Sequence, residues 1–508
     1  MVIPDIRKDP ITGGYPHPEG YGIESYGHLG GCYREKGRRK RIEDKGAGRK
    51  IEKDVNEMDR RSTIGICIGL VAIILIAWMV EMNVEKPSVI LPEPSPEVVE
   101  QKGTGVVTVG YGWSTRDEPR EAVEEAVSLL KKGLNGKSPD YVLLFSTAGY
   151  NPNEILREVK RLLPAAQIYG STSCLGVLTK DGFHVGKRGS LALLAVSSSE
   201  ITFGVGGASL DELPPREAGK KAILSAIENA KKDGKPKLVL ITSAPGKEEE
   251  ILLGVEDVVG KDVPIIGGSS ADDDISGKWR QFANDKVYSN GVSLTAIYTD
   301  LNIGWAYEAG YLRTENMGSI TKAEGRVIYE INNRPAAEVY NEWTNGVISE
   351  KLKTGGTVLS ETTYYPLAKI IRGKGGEIHY LSIHPLSVEL PESSLTVFAN
   401  VEEGDDILLM HGNWELLLNR AQATPYNALV NGNIPKGEGS FGIYTFCAGT
   451  MLAIPEEERP KIPLLISNSI GDVPFIGTFT FGEQGFLPGV GNRHGNLVNS
   501  MIIFSRVK

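Results

Sequence analysis

The chain alternates between two hydrophobic periods, and in one stretch it does so twice. Val107–Ser114 (VTVGYGWS) and Ile201–Ser209 (ITFGVGGAS) are alternating strands that end in glycine and small residues. Each leads into a helix, predicted over 117–132 and 214–232. In the first, Ala122, Val123, Ala126, Val127, Leu129 and Leu130 form one apolar face. Asp117 is its predicted N-cap, Pro119 lies in its first turn and Gly133 follows its end. Matching strands (141–150 and 237–246), helices (151–164 and 246–260), glycine-ended strands (166–176 and 263–273) and apolar closing strands (190–197 and 291–299) follow. Residues 176–186 hold Asp-Gly between alternating segments, a hairpin signal. Gly110 and Gly204 are 94 apart, Gly170 and Gly267 97 apart, so 105–200 and 201–300 read as two copies of one mixed α/β unit of about 97 residues.

A third such strand, 301–310, opens a region where the rhythm changes. Residues 325–343 predict a strand pair and a helix starting near Arg334-Pro335, 355–410 a run of strands, and 407–430 a strand ending in a helix. The last third returns loosely to the first theme, with strands at 441–449, 473–485 and 496–504. The expected fold class is α/β with mixed sheets and hairpins: a duplicated unit over 105–310, then a C-terminal α/β domain over 311–508.

Thr63 to Val80 is eighteen residues without a charge, about 27 Å of helix and enough for a thin bilayer. Lys45, Arg49, Lys50, Lys53, Arg60 and Arg61 precede it closely, and only Lys86 lies close behind. The positive-inside rule then puts the basic tail, 1–62, in the cytoplasm and 81–508 outside the cell membrane. Residues 81–104, with four prolines between Lys86 and Glu100, predict a stiff linker. Glycine is 60 of 508 residues against about 7% on average, which implies many tight turns or close backbone approaches. The chain carries a net charge of −9, and its basic excess is confined to the tail; this argues against nucleic acid as a partner of the large part.

Three glycine-rich polar clusters stand at strand ends: Gly170-Ser171-Thr172-Ser173-Cys174, Gly267-Gly268-Ser269-Ser270 followed by Ala271 and three aspartates, and Phe481-Gly482-Glu483-Gln484-Gly485. Glycine lets backbone N–H groups approach a ligand, and hydroxyls, amides and carboxylates add directional bonds. The plain alternative is turn formation, but the theme occurs three times and favours a pocket. Gly170, Ser171, Thr172, Ser173, Gly267, Gly268, Ser269 and Ser270 are the candidate ligand contacts, with Glu483 as a partner for an amine. There is no Gly-x-Ser-x-Gly elbow, and Gly136-Lys137-Ser138 lacks the first glycine of a phosphate loop. Asp272, Asp273 and Asp274 read as a solvated turn in preference to a metal site, and no cofactor is implied. Cys174 and Cys447 read as two free thiols, a bridge being the alternative. A cysteine-dependent enzyme and a ligand-free surface protein stay open as other classes.

In this order the segments YVLLFST, LPAAQIYGSTSCLGVLTKDG, PIIGGSSADDD, Tyr365-Pro366-Leu367, Val401–Asp405, Phe446–Gly449 and Phe481–Gly485 resemble the FIST sensory domains, N-terminal and C-terminal parts, over about 105–506. The resemblance implies a binding role in signal transduction, with a small polar ligand such as an amino acid. It also implies a cytoplasmic or membrane signalling partner, and the chain departs from the usual sensory arrangement in showing no recognisable kinase, cyclase or methyl-accepting segment.

Overall fold

The computed structural model describes residues 106–507. The tail (1–62), the apolar segment (63–80) and the linker (81–104) lie outside the described residues. Among the described residues, no helix is long and apolar enough to cross a membrane.

Three six-stranded sheets share one plan. The first run of chain contains β1 (Val107–Ser114), α1 (Pro119–Leu134), β2 (Tyr141–Thr147), α2 (Pro152–Leu162) and β3 (Gln167–Ser173). It continues with a hairpin of β4 (Val177–Thr179) and β5 (Gly182–His184), then β6 (Leu191–Ser198). The second contains β7 (Ile201–Ser209), α3 (Pro215–Ala230), β8 (Leu238–Ser243), α4 (Glu248–Val259) and β9 (Ile265–Gly268). Its hairpin is β10 (Gln281–Ala283) and β11 (Lys286–Tyr288), and β12 (Gly291–Thr299) closes it. The third contains β13 (Ile303–Ala309), α5 (Trp414–Asn431), β14 (Gly439–Cys447), α6 (Ile462–Ile470) and β15 (Phe475–Thr480). Its hairpin is β16 (Glu483–Leu487) and β17 (Gly491–Gly495), and β18 (Val498–Ser505) closes it.

Each hairpin leaves the sheet of its own run and completes another. The strand orders are β1-β6-β2-β3-β10-β11, β7-β12-β8-β9-β16-β17 and β13-β18-β14-β15-β4-β5. In each, the second and third strands of the run are parallel and joined through a helix, and the other pairings are antiparallel. The exchange is cyclic, so each of the three sheets is completed by a hairpin from another run of the same chain. The β4–β5 hairpin is held by side chains of β1: Tyr111 Oη donates to Asp181 Oδ1 at 2.8 Å, and Trp113 stacks on His184 at 3.8 Å.

The inner faces of all three sheets bury one common core, in which Tyr141 and Leu143 of the first meet Val205 and Leu240 of the second and Ile443 and Ile502 of the third. Outside, α1 and α2 cover the first sheet, α3 and α4 the second, and α5 and α6 the third. Full burial of one such leucine is worth about 2–3 kcal/mol, and truncating it to alanine costs about 2–5 kcal/mol. Between β13 and α5 the chain makes an excursion, Leu312–His411, built on a nine-stranded sheet with its own apolar cluster around Ile328, Tyr340 and Leu395.

Some local expectations need correction. The first helix starts two residues later than the pattern suggests: Glu118, not Asp117, is the N-cap, and no side chain caps it. Gly133 lies inside that helix, where a Cβ would come within 2.7 Å of Gly110 Cα, so the residue permits close strand–helix packing. The left-handed stop falls to Asn135, at φ +49°. The second long helix ends at Ala230 with Lys231 in the left-handed region.

Candidate functional site

The strands β3, β9 and β15 occupy the same place in their sheets, and their carboxyl ends meet. Ala271 N donates to Thr172 O at 3.1 Å and Cys174 N to Phe479 O at 3.1 Å. Phe479 N donates to Ser173 Oγ at 2.8 Å. Ser269 N donates to Gly482 O at 2.8 Å, and Phe481 N returns a bond to Ser269 O at 3.0 Å. Segments some 300 residues apart in sequence are thus tied directly to one another. Ligands of open α/β sheets favour this end of parallel strands, because the backbone leaves its ladder there.

All nine candidate residues are buried. Gly170 and Gly267 have a packing reason to be glycine: a Cβ on either would lie 1.8 Å from a carbonyl oxygen of the adjoining strand, Leu144 O or Ile241 O. A Cβ on Gly268 would meet the Thr480 side chain at 2.7 Å. Several hydroxyls have protein partners already. Ser173 Oγ donates to Gly176 O at 2.6 Å, Thr172 Oγ1 accepts from Arg280 N at 2.8 Å, and Ser270 Oγ donates to Ser243 O at 3.1 Å.

Glu483 is engaged on both oxygens, with Thr480 Oγ1 donating to Oε1 at 2.7 Å and Val498 N to Oε2 at 3.0 Å. Burial pushes this carboxyl up to about 8, although those bonds, the Cys447 thiol and the Gly482 amide pull the other way. Tyr307 Oη donates to the Glu483 carbonyl at 3.1 Å.

A second buried carboxylate, which the sequence reading did not single out, lies one bond from the same cluster. Glu248, at the start of α4, accepts from Ser269 Oγ at 2.9 Å, from Gly246 N at 3.0 Å and from Arg326 Nη2 at 2.7 Å. Arg326 also reaches Glu249 Oε2 at 2.7 Å. Burial by itself would raise the Glu248 carboxyl, but His494, 3.9 Å away, and Arg326 outweigh it and pull the group down to about 2. Gln484 Nε2 closes the network onto Ser269 Oγ and His494 Nδ1, both at 3.2 Å. In sequence, Glu248 to Glu250 read as ordinary acidic residues of a helix start, and no local signal pairs them with Arg326.

Around this junction several buried polar atoms have no hydrogen-bond partner in the protein: Gln484 Oε1, Asp272 Oδ1, Ser243 Oγ and Thr242 Oγ1. Each orphaned group costs about 1–3 kcal/mol, so a cluster of them calls for an explanation. The loop beside them is strained. Ile275, a β-branched residue, has φ +54°, and Leu175, whose N–H donates to Asp273 Oδ1 at 2.6 Å, has φ +60°.

The thiols of Cys174 and Cys447 are free and buried, and burial pushes both far above the usual thiol range, which works against the thiolate a nucleophile needs. Among the described residues, no group of three or more His, Cys, Asp or Glu side chains could hold a metal ion. Two open depressions, of about 330 and 370 Å³, lie beside Tyr288 and beside Val107; neither is lined by a candidate residue.

Residues 140–334 match the family model of the FIST N domain and residues 336–486 that of the FIST C domain. An uncharacterized protein of Methanocaldococcus jannaschii is 29% identical over 198 residues, covering 36% of this chain and 35% of the relative. The chain therefore spans about a third of that relative's length. Among solved structures, cyanuric acid hydrolase from A. caulinodans aligns with 79% of this chain and 100% of its own at 6% identity and a TM-score of 0.33. PurLQS from Thermotoga maritima aligns with 79% and 73% at 9% identity and a TM-score of 0.21. Likenesses at this level carry no argument about chemistry.

Proposed function

The chain belongs to the FIST family, and from that premise we propose that it is a membrane-anchored receptor whose FIST region takes a small polar molecule where the three glycine-rich strand ends meet. FIST domains are sensory, ligand-binding domains of signalling proteins. The observation that carries the placement is the set of buried, unpartnered polar atoms at this junction: Gln484 Oε1, Asp272 Oδ1 and Ser243 Oγ. An amino acid is the ligand class of choice, because it presents both donors and acceptors to such a set. The ligand enters by displacing the strained loop around Ile275, and Ser269 and Gln484 then exchange bonds to each other for bonds to the ligand. Glu483 meets an ammonium group once Thr480 turns away.

In this reading the three sheets descend from repeated copies of one α/β unit. The apolar segment 63–80 anchors the chain, the basic tail stays in the cytoplasm, and the FIST region faces outward and passes its signal to a membrane or cytoplasmic partner.

A thermal-shift screen of the full chain in detergent, against single amino acids and small carboxylic acids, tests the ligand. A true ligand stabilises by RT ln(1 + [L]/Kd), about 2.7 kcal/mol at a hundredfold excess over Kd. Gln484→Met keeps the volume and removes the amide, so it abolishes that gain while the unliganded protein still melts cooperatively. No stabilisation by any compound leaves a surface protein without ligand. Protease added to intact cells tests the orientation: it cleaves the FIST region if that region is outside.

A further inference from the structure

The three helix layers stand in equivalent places, and one of them differs. Of the 27 residues in α1 and α2, eleven are charged, and of the 28 in α3 and α4, ten are. Of the 27 in α5 and α6, only Glu415 and Arg420 are charged. Glu415 sits in the first turn, and Arg420 is bound to Glu308 at 3.1 Å. From 421 to 435 and from 462 to 471 the chain has no charge at all. The two helices lie side by side, with Ser469 Oγ of α6 donating to Gln422 O of α5 at 2.6 Å. Yet this layer is not sealed: Tyr426 and Val430, one turn apart on α5, are each 58% exposed, and Leu464 on α6 is 61% exposed.

A solvated helix face is normally studded with charges, as the other two layers are. A face with exposed aromatic and aliphatic groups, amides between them and no charges has the composition of an interface centre. The scarcity of charge also narrows what covers it. An acidic or basic partner would need complementary charges, and this face offers only Glu415, at one end of α5. Outside residues 34–61, with twelve basic and seven acidic side chains, the chain is net acidic, so two copies repel each other wherever charged surfaces approach. The uncharged layer is where that repulsion is weakest, and a two-fold axis would set α5 of one copy against α5 of the other.

We propose that the outer face of α5 and α6, centred on Tyr426, Val430 and Leu464, is the contact through which two copies of this chain form a symmetric dimer. An 18-residue helix is about 27 Å long, which places the face at the small end of specific interfaces. The inference stands independently of any ligand.

Sedimentation equilibrium of the full chain in detergent, up to about 100 µM, tests it. The wild type is expected to be dimeric at the top of the range. Tyr426→Asp with Val430→Asp is expected to weaken association at least about 100-fold without lowering the melting temperature, whereas Leu224→Asp, at an exposed leucine of the charged second layer, leaves the dimer intact. Should the double variant fold poorly, Val430→Cys in a background of Cys32→Ser and Cys67→Ser gives a covalent dimer on mild oxidation. A wild type that stays monomeric overturns the proposal. So do a double variant that dimerises normally, an equal loss in Leu224→Asp, and a Val430→Cys protein that gives no covalent dimer.

Discussion

Glu248 and Glu483 are both fully buried carboxylates, they are linked through Ser269 and Gly482 to one junction of strand ends, and they are driven in opposite directions. Glu248 faces Arg326 and His494 and is held near 2; Glu483 faces Thr480, a thiol and backbone amides, with no cation, and is held near 8. The contrast separates two uses of burial. Where a cation is buried alongside, the charge stays and the pair fastens elements together, here α4 to the inserted sheet region that carries Arg326. Where only neutral donors are present, the proton stays, and the group is the softer of the two because it can change state near neutral pH.

The largest expected effect comes from breaking the stronger side of this contrast. Arg326→Met leaves Glu248 and Glu249 without their guanidinium, and an uncompensated buried charge costs about 3–5 kcal/mol. Chemical denaturation at neutral pH reads that loss, and a change within about 0.5 kcal/mol would show that the ion pairs are incidental.

Next is Glu483→Gln, whose effect depends on pH. The folded value near 8 lies above the ordinary 4.5, so between these the native state holds a proton that the unfolded chain releases. Stability from this group therefore falls as pH rises from about 4.5 to 8 and is level beyond. The glutamine variant removes that slope and gains on the wild type by roughly 2–4 kcal/mol over the interval. Glu248 behaves in the reverse sense: its contribution is present above pH 4.5 and is lost as pH falls through 2. Denaturation curves at pH 5 and 8 separate the two groups, and parallel loss in wild type and Glu483→Gln would contradict the assignment.

The smallest effect lies away from the junction. Asn151 accepts from Asn153 N at 3.0 Å and Glu154 N at 3.2 Å as the N-cap of α2, so Asn151→Ala costs about 1 kcal/mol at every pH. It serves as the control against which a pH-dependent change is judged.

These comparisons also mark what could be read along the chain. Strand and helix periods depend on neighbours one to four residues away, so α1 to α4 and the hairpin around Asp181-Gly182 are visible in the sequence. The destination of that hairpin is not: a two-residue turn fixes that β4 and β5 pair, and nothing local says that they complete the sheet of β13, β14, β15 and β18. The polar clusters stand out because glycine, serine and carboxylates recur at strand ends, yet Gly170 and Gly267 answer to carbonyl oxygens of adjoining strands, which only the folded register reveals. Arg326 is hidden for the same reason, as it lies 78 residues from Glu248. The cap of α1 is not legible in sequence, because Asp117 and Glu118 are both acidic and the choice between them rests on backbone angles.

The central claim, that the joined strand ends receive the ligand, is tested most directly by hydrogen exchange of the full chain with and without the best-stabilising amino acid. The account predicts slower exchange at the amides of Ser269, Ala271, Phe479 and Phe481, which tie the three segments together. Unchanged rates there, with new protection confined to the depression beside Tyr288, would contradict it.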